Sequence, residues 1–245
     1  MKLSPIRVLV PLLSLLLQSL PAHAATVALK VDPEKLIRNA TVVVEVHGFD
    51  KKNHEVTVLG TGFSISVEGY IVTARHLTDD AIAHGASPES ITYIVIASEI
   101  ISSPKVNADM FWRSRTSDEM VLTAPMPDGL LIPLKANLHP RGDIKLGSTP
   151  IFTGGFPEGY PLVLDRGIVR SFLSPESVHT PMWITNMSFK HGQSGSPVIL
   201  EDGSVVAIVT AVDQGASTIG FITPIRSIPA YLWDSFHDML GKLPH

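Results

Sequence analysis

The 245-residue chain contains no cysteine. That excludes disulfides, thiolate metal sites, a cysteine nucleophile and a lipidated amino-terminal cysteine. Charge is scarce as well: Asp, Glu, Lys and Arg make up 17% of the residues, against roughly 25% in an average soluble domain. A long charged helix or coiled coil is therefore excluded. Hydrophobic residues at 44% exclude a disordered chain. A run long enough to span a bilayer, about 20 apolar residues, is missing too. The formal net charge of −4 offers no basic footprint for nucleic acid.

The amino terminus carries the one notable apolar run. Lys2 and Arg7 precede Val8 to Leu20, 13 residues interrupted by Pro11, Ser14, Gln18 and Ser19. Ala22-His23-Ala24 follows as a small-x-small cleavage pattern. This is the pattern of a secretory signal peptide cleaved after Ala24. Removing Lys2 and Arg7 takes the formal charge from −4 to −6. The mature chain is then expected in a bacterial periplasm or extracellular space, with no membrane anchor left after cleavage.

The rest reads mostly as short strands separated by Gly, Pro, Asp and Asn. Thr41 to His47, Val56 to Val67, Tyr70 to Ala74, Ile91 to Ala97, Met120 to Ala124 and Leu130 to Leu134 come first. Pro150 to Thr153, Leu162 to Leu164, Gly167 to Phe172, Trp183 to Asn186, Val198 to Leu200, Val205 to Val212 and Gly220 to Thr223 follow. Many short strands at this spacing point to sandwiches or barrels. Two helices are expected. One runs from Asp32 to Asn39, with Asp32 as N-cap and Pro33 in the first position. The other closes the chain after Ser227, where Ile228, Tyr231, Leu232, Phe236, Met239 and Leu240 recur at helical spacing. Leu138 to Gly147 is polar, contains Pro and Gly, and is the best linker between two halves.

The strongest chemical signal is Gly192-Gln193-Ser194-Gly195-Ser196-Pro197. Residue frequencies make such a string expected on the order of once in ten thousand chains of this length, so a chance Gly/Ser turn is the weaker explanation. A nucleophilic serine needs a tight turn that exposes its oxygen and aims backbone N–H groups at the same point. Ser194 is the nucleophile candidate, with the N–H groups of Gly192 and Ser194 as an oxyanion hole. His76, at the end of the strand Tyr70 to Ala74, is the candidate base. Asp118, heading the apolar string Met120 to Leu122, is the candidate carboxylate that orients it. Glu119 is its immediate rival and Asp109 a weaker one. No metal-ligand spacing of the H-E-x-x-H kind occurs.

The order His76, Asp118, Ser194 and the strings around them resemble trypsin-like (chymotrypsin-fold) serine proteases, and most nearly the bacterial HtrA and glutamyl-endopeptidase-like branch. Gly60-Thr61-Gly62-Phe63 is similar to the glycine-rich strand before the catalytic His. Asp118-Glu119-Met120-Val121-Leu122 resembles the D-[IL]-A-[VL]-L string, and Gly154 to Gly159 the G-x-P-x-G turn of the second barrel. The resemblance implies an all-β fold of two six-stranded antiparallel barrels with a carboxy-terminal helix. It divides the chain into signal peptide 1–24, amino-terminal segment 25–40, first barrel 41–137, second barrel 138–226 and helix 227–245. The chain order also argues against an α/β-hydrolase, where Ser comes first and G-x-S-x-G is required. Only 21 residues follow Pro224, too few for a PDZ domain.

The resemblance further implies a substrate pocket of Ser188, Phe189, Thr210, Val212 and Gly220, with Ser188 at its base. Without a carboxylate there, and with Phe189 and Val212 adding bulk, cleavage is expected after small or medium apolar residues. Gln193, where digestive enzymes often carry Asp, cannot ion-pair with a new amino terminus, so activation by that route is not expected. Arg75 is expected to point away from the cleft. The implied activity is a serine endopeptidase acting on polypeptides, with no cofactor, no metal and no nucleic-acid partner. The competing readings are a catalytically silent binding or chaperone-like module on the same fold, and a structural envelope protein.

Overall fold

The computed structural model describes residues 31–97, 104–138, 142–173, 181–212, 219–229 and 231–234. The signal-peptide pattern lies outside them. The described chain opens with helix α1, Pro33–Ala40. Asp32 is its N-cap, and its carboxylate accepts the N–H groups of Glu34 and Lys35 at 3.1 and 3.2 Å. These satisfy two of the amide donors that a helix start leaves unpaired.

Six strands then form a closed antiparallel barrel. They are β1 (Thr41–Phe49), β2 (Glu55–Ser64), β3 (Tyr70–Ala74), β4 (Thr92–Ile96), β5 (Lys105–Arg113) and β6 (Glu119–Thr123), in the order β1-β2-β3-β6-β5-β4. A second set comprises β7 (Lys135–Ala136), β8 (Pro150–Gly155), β9 (Val163–Leu173), β10 (Met182–Thr185), β11 (Pro197–Ile199), β12 (Ser204–Val212) and β13 (Gly220–Pro224). Its order is β11-β8-β9-β10-β13-β12, and β11 pairs back with β12 to close a second six-stranded barrel. The two-residue β7 adds to β12 in parallel.

The two cores meet at β12. Val206, Ala207 and Val209 belong to the second barrel's interior with Ile151, Val169, Trp183, Val198 and Ile222. Val205 and Ile208 face the other way, into one continuous cluster with Val44, Phe63, Val72 and Leu122 of the first barrel. A strand buried on both faces needs apolar residues at nearly every position, which is why Val205 to Val209 reads as an unbroken apolar run.

Several expectations differ from the structure. A third helix, α2, spans His76–Ala83 directly after β3, with Leu77, Thr78 and Ala81 buried. The apolar pattern does not mark β5, because only Ala108 is buried and the apolar Met110 and Phe111 are exposed among its polar residues. Leu130 to Leu134 is irregular backbone; Ile132 N–H and Leu134 N–H bond to the carbonyls of Asn39 and Ser64 at 2.9 Å each rather than to a strand ladder. Val163, Leu164 and Gly167 to Phe172 fall within a single strand, β9, with Leu162 just ahead of it. Sheet membership changes between Thr123 and Lys135, ahead of the 138–147 stretch. Of the closing helix, Tyr231–Asp234 is helical (α3), and Phe236, Met239 and Leu240 lie outside the described residues. Ser227 sits in a turn instead of capping it, because the chain reaches the helix only after Pro229, whose carbonyl accepts Leu232 N–H at 3.0 Å.

Ile208, fully buried where the two cores meet, tests the packing. Ile208→Ala is expected to cost about 2–5 kcal/mol through lost burial and the cavity left behind. Urea denaturation checks this, as a lower midpoint at unchanged slope.

Candidate active site

The site is built where β3 of the first barrel ends. Arg75 turns into the helical region, so His76 becomes the first residue of α2. No side chain of α2's own N-cap bonds to its amides. Asp118, arriving at the head of β6, does so instead: its Oδ1 accepts His76 N–H at 2.9 Å. Its other oxygen, Oδ2, lies 2.7 Å from His76 Nδ1. The Asp118 carbonyl accepts Arg75 N–H at 2.9 Å. One buried carboxylate therefore holds the backbone and the ring of His76 together.

The ring's other nitrogen, Nε2, lies 2.9 Å from Ser194 Oγ. Burial disfavours the charged imidazole, but the hydrogen bond and charge of Asp118, with Asp80 and Asp79, outweigh it and hold His76 above its ordinary value. The structure thus brings His76, Asp118 and Ser194 into one hydrogen-bonded row. Glu119 is turned the other way, as the next side chain along a strand must be, and Asp109 stands exposed on β5.

Ser194 sits in a turn that two glycines make possible. Gly192 and Gly195 have φ of +91° and +87°, where an L side chain is strained. A Cβ on Gly192 would overlap the Phe156 carbonyl, and one on Gly195 the Thr61 carbonyl. The His191 carbonyl accepts Glu158 N–H at 2.7 Å. In a trans peptide C=O and N–H point in opposite directions, so Gly192 N–H is turned away from Glu158. Among the described residues neither Gly192 N–H nor Ser194 N–H has an acceptor. Gln193 is 4% exposed, and its side-chain oxygen accepts Lys190 N–H at 2.8 Å within the same loop.

A cavity of about 420 Å³ opens beside this row, lined by His76, Asp118, Ser194, Gly192, Phe189 and Thr210 together with Val58, Leu59, Arg75, Leu77, Asp80, Met182, Lys190, His191 and Val209. Two implied pocket residues are placed differently. Ser188 is outside this cavity and lines a neighbouring one with Pro157, Tyr160 and Val163. The cause is alternation: Met187 and Phe189 are buried at 2% and 4%, so Ser188 between them faces outward. Gly220 is also buried away from the cavity, because the Phe189 ring lies against it. Val212 pairs with Gly220 through its backbone; its side chain lies outside the described residues. Arg75 lines the cavity instead of pointing away, with Nε 3.4 Å from Asp79 Oδ2. Val58, Leu59, Leu77, Asp80 and Met182 were missed, since only the closure of the barrels gathers them. Among the described residues no group of three or more His, Asp or Glu side chains converges as metal ligands would.

Comparison with known proteins gives one consistent picture. Residues 60–208 match the family described as "Trypsin-like peptidase domain". The chain is 25% identical over 206 residues to the magnetosome formation protease MamE of Paramagnetospirillum magneticum, covering 81% of this chain and 26% of that protein. It is 28% identical over 166 residues to a "Probable periplasmic serine endoprotease DegP-like" of Pseudomonas fulva, covering 64% of this chain and 30% of that one. The chain thus spans about a quarter to a third of the length of these curated relatives. The crystal structure of the active form of the Rv3671c protease from M. tuberculosis shares the fold, with a TM-score of 0.57, 18% identity and 79% of each chain covered.

Glu119 introduces a titration beside the site. It is fully buried, and its Oε1 accepts Ser227 N–H at 3.2 Å while Oε2 has no partner. Burial, with the neighbouring Asp118 charge, pushes its carboxyl up to about 7 against the opposing Ser227 N–H. Unfolded, the group ionises near 4.5. Between those values the folded chain holds the extra proton, so raising the pH lowers stability. The size is on the order of 3 kcal/mol, at about 1.4 kcal/mol for each tenfold change in proton affinity. Glu119→Gln keeps an acceptor for Ser227 and removes the titration. Thermal melts are expected to place it several degrees above the unsubstituted protein at pH 8, with the gap closing towards pH 4.5. An equal gap at both pH values would contradict this origin.

Proposed function

The chain belongs to the trypsin-like peptidase family, and from that premise we propose that it is an exported serine endopeptidase that cleaves polypeptides through an acyl-enzyme on Ser194. The observation that carries this reading is the single imidazole shared between two partners, 2.7 Å from Asp118 and 2.9 Å from Ser194. With Nδ1–H donated to Asp118, Nε2 is left as the acceptor. It takes the Ser194 hydroxyl proton as Oγ adds to the peptide carbonyl, and Asp118 balances the imidazolium that forms. The oxyanion is met by the N–H groups of Gly192 and Ser194. His76 then passes its proton to the departing amine, and water repeats the sequence on the ester. Export rests on the pattern of residues 1–24 and on relatives named as periplasmic.

The Ser194 assignment is tested with a fluorophosphonate probe on the mature protein. Labelling is expected in the unsubstituted protein and absent in Ser194→Ala. Its rate should climb with pH through a midpoint above 6.5, because only the neutral His76 can accept the proton. An unlabelled wild-type protein would favour a silent binding module on the same fold.

Substrate preference follows from what fills the acyl side of the cavity. Phe189 covers Gly220 and leaves walls of Met182, Val209 and Thr210. None of these is acidic, and the space suits a small or medium apolar side chain. A peptide library is expected to show cleavage after such residues. Dominant cleavage after Lys, Arg or Glu would overturn the preference while leaving the reaction intact.

A further inference from the structure

Thr61 is a residue of β2, in the first barrel, yet three of the four hydrogen bonds that follow run to the second. Its backbone N–H donates to the Ser194 carbonyl at 2.8 Å. Its hydroxyl donates to the Gly192 carbonyl at 2.7 Å. The same oxygen accepts Phe156 N–H at 3.1 Å. Its own carbonyl accepts the Thr73 hydroxyl at 2.7 Å, which ties it back to β3. Thr61 is fully buried, so no water competes for these bonds.

Two of these bonds end on Gly192 and Ser194, the residues whose N–H groups are proposed as the oxyanion donors. Thr61 holds the carbonyl of Gly192 through its side chain and the carbonyl of Ser194 through its backbone. Glu158 N–H holds the carbonyl before Gly192, that of His191. Both peptide planes flanking Gly192 are therefore anchored, one from the 156–159 turn and one from the first barrel. Anchoring matters most at a glycine, where the alternative backbone conformations cost little. Released from Thr61, the Gly192–Gln193 peptide can rotate, which changes the backbone angles of Gly192 and leaves the Glu158 bond alone to hold the plane that carries Gly192 N–H.

We infer that Thr61 is a positioning residue for the oxyanion loop: its hydroxyl fixes the Gly192–Gln193 peptide from across the barrel interface, and with it the backbone conformation of Gly192 between its two anchored planes. The inference rests on the reading of Ser194 as nucleophile. Losing one oxyanion donor outright costs about 10²–10³ in rate, and loosening its support should cost a part of that.

Three substitutions test it on the whole mature protein. Thr61→Val preserves shape and removes the hydroxyl. It is expected to lower kcat for a peptide substrate by about 10- to 100-fold while KM changes less than about threefold. Thr61→Ser restores the donor and should recover activity to within about threefold of wild type. Thr153→Val is the matched control. Its buried hydroxyl donates to the Pro197 carbonyl at 2.8 Å, away from the oxyanion loop. It leaves one buried carbonyl unpaired, against a carbonyl and the Phe156 N–H in Thr61→Val, and should keep kcat within about threefold of wild type. The pH midpoint of kcat/KM should be the same in all variants, because His76 and Asp118 are untouched. Activity is normalised to folded protein from thermal melts, with assays run below the lowest melting onset. Equal kcat losses in Thr61→Val and Thr153→Val, no rescue by Thr61→Ser, or a shifted pH midpoint would each overturn the inference. A wild-type protein without peptidase activity would instead overturn the reading of Ser194.

Discussion

The arrangement depends on the fit between two barrels that each hold only part of the site. His76 and Asp118 belong to the first, Ser194 to the second, and the distance between Nε2 and Oγ is set by how the barrels dock. The docking is apolar, through Val205 and Ile208 on one side and Phe63 and Val72 on the other. At its edge, the bond from Thr61 N–H to the Ser194 carbonyl sets the register at 2.8 Å. Burial supplies the affinity between barrels, being non-directional. The few buried hydrogen bonds supply the alignment, since an unpaired buried group costs about 1–3 kcal/mol.

The electrostatics follow from strand geometry. Asp118 and Glu119 are adjacent carboxyls whose side chains leave β6 in opposite directions. Asp118 meets an imidazole and the first amide of a helix, and bonds to both. Glu119 meets an apolar interior, which favours the proton, and a single amide, Ser227 N–H, which opposes it without outweighing the burial. Two acids of similar intrinsic strength thus end with different roles because their surroundings differ.

Much of this was readable in the residues, and what was not has a common cause. The Gly-Gln-Ser-Gly-Ser-Pro string was legible because a tight turn at a serine leaves a local trace in glycine. His76 and Asp118 were legible as strand-end residues, and α1 announced itself through Asp32 and Pro33. Helix α2 was not, because its cap is Asp118, 42 residues away in sequence, while Arg75 in the N-cap position gives no signal. Strand β5 was not legible either, because it buries only Ala108 and exposes Met110 and Phe111, so its burial leaves no alternation in the residues. Ser188 was misplaced because a position counted from the nucleophile says nothing about which way a side chain turns; the burial of Met187 and Phe189 decides that. Thr61 stood inside a recognised string, but its partners lie on the other barrel, and only the folded chain brings them to it.

The most direct test of this account is a crystal structure of the protein with a small apolar peptide boronic acid, which mimics the tetrahedral intermediate. The account requires boron bonded to Ser194 Oγ, with one boronate oxygen within hydrogen-bond distance of both Gly192 N–H and Ser194 N–H. It also requires His76 still bridging to Asp118. Boron bonded elsewhere, or an oxygen facing away from those two N–H groups with the His191 carbonyl turned towards it, would contradict it.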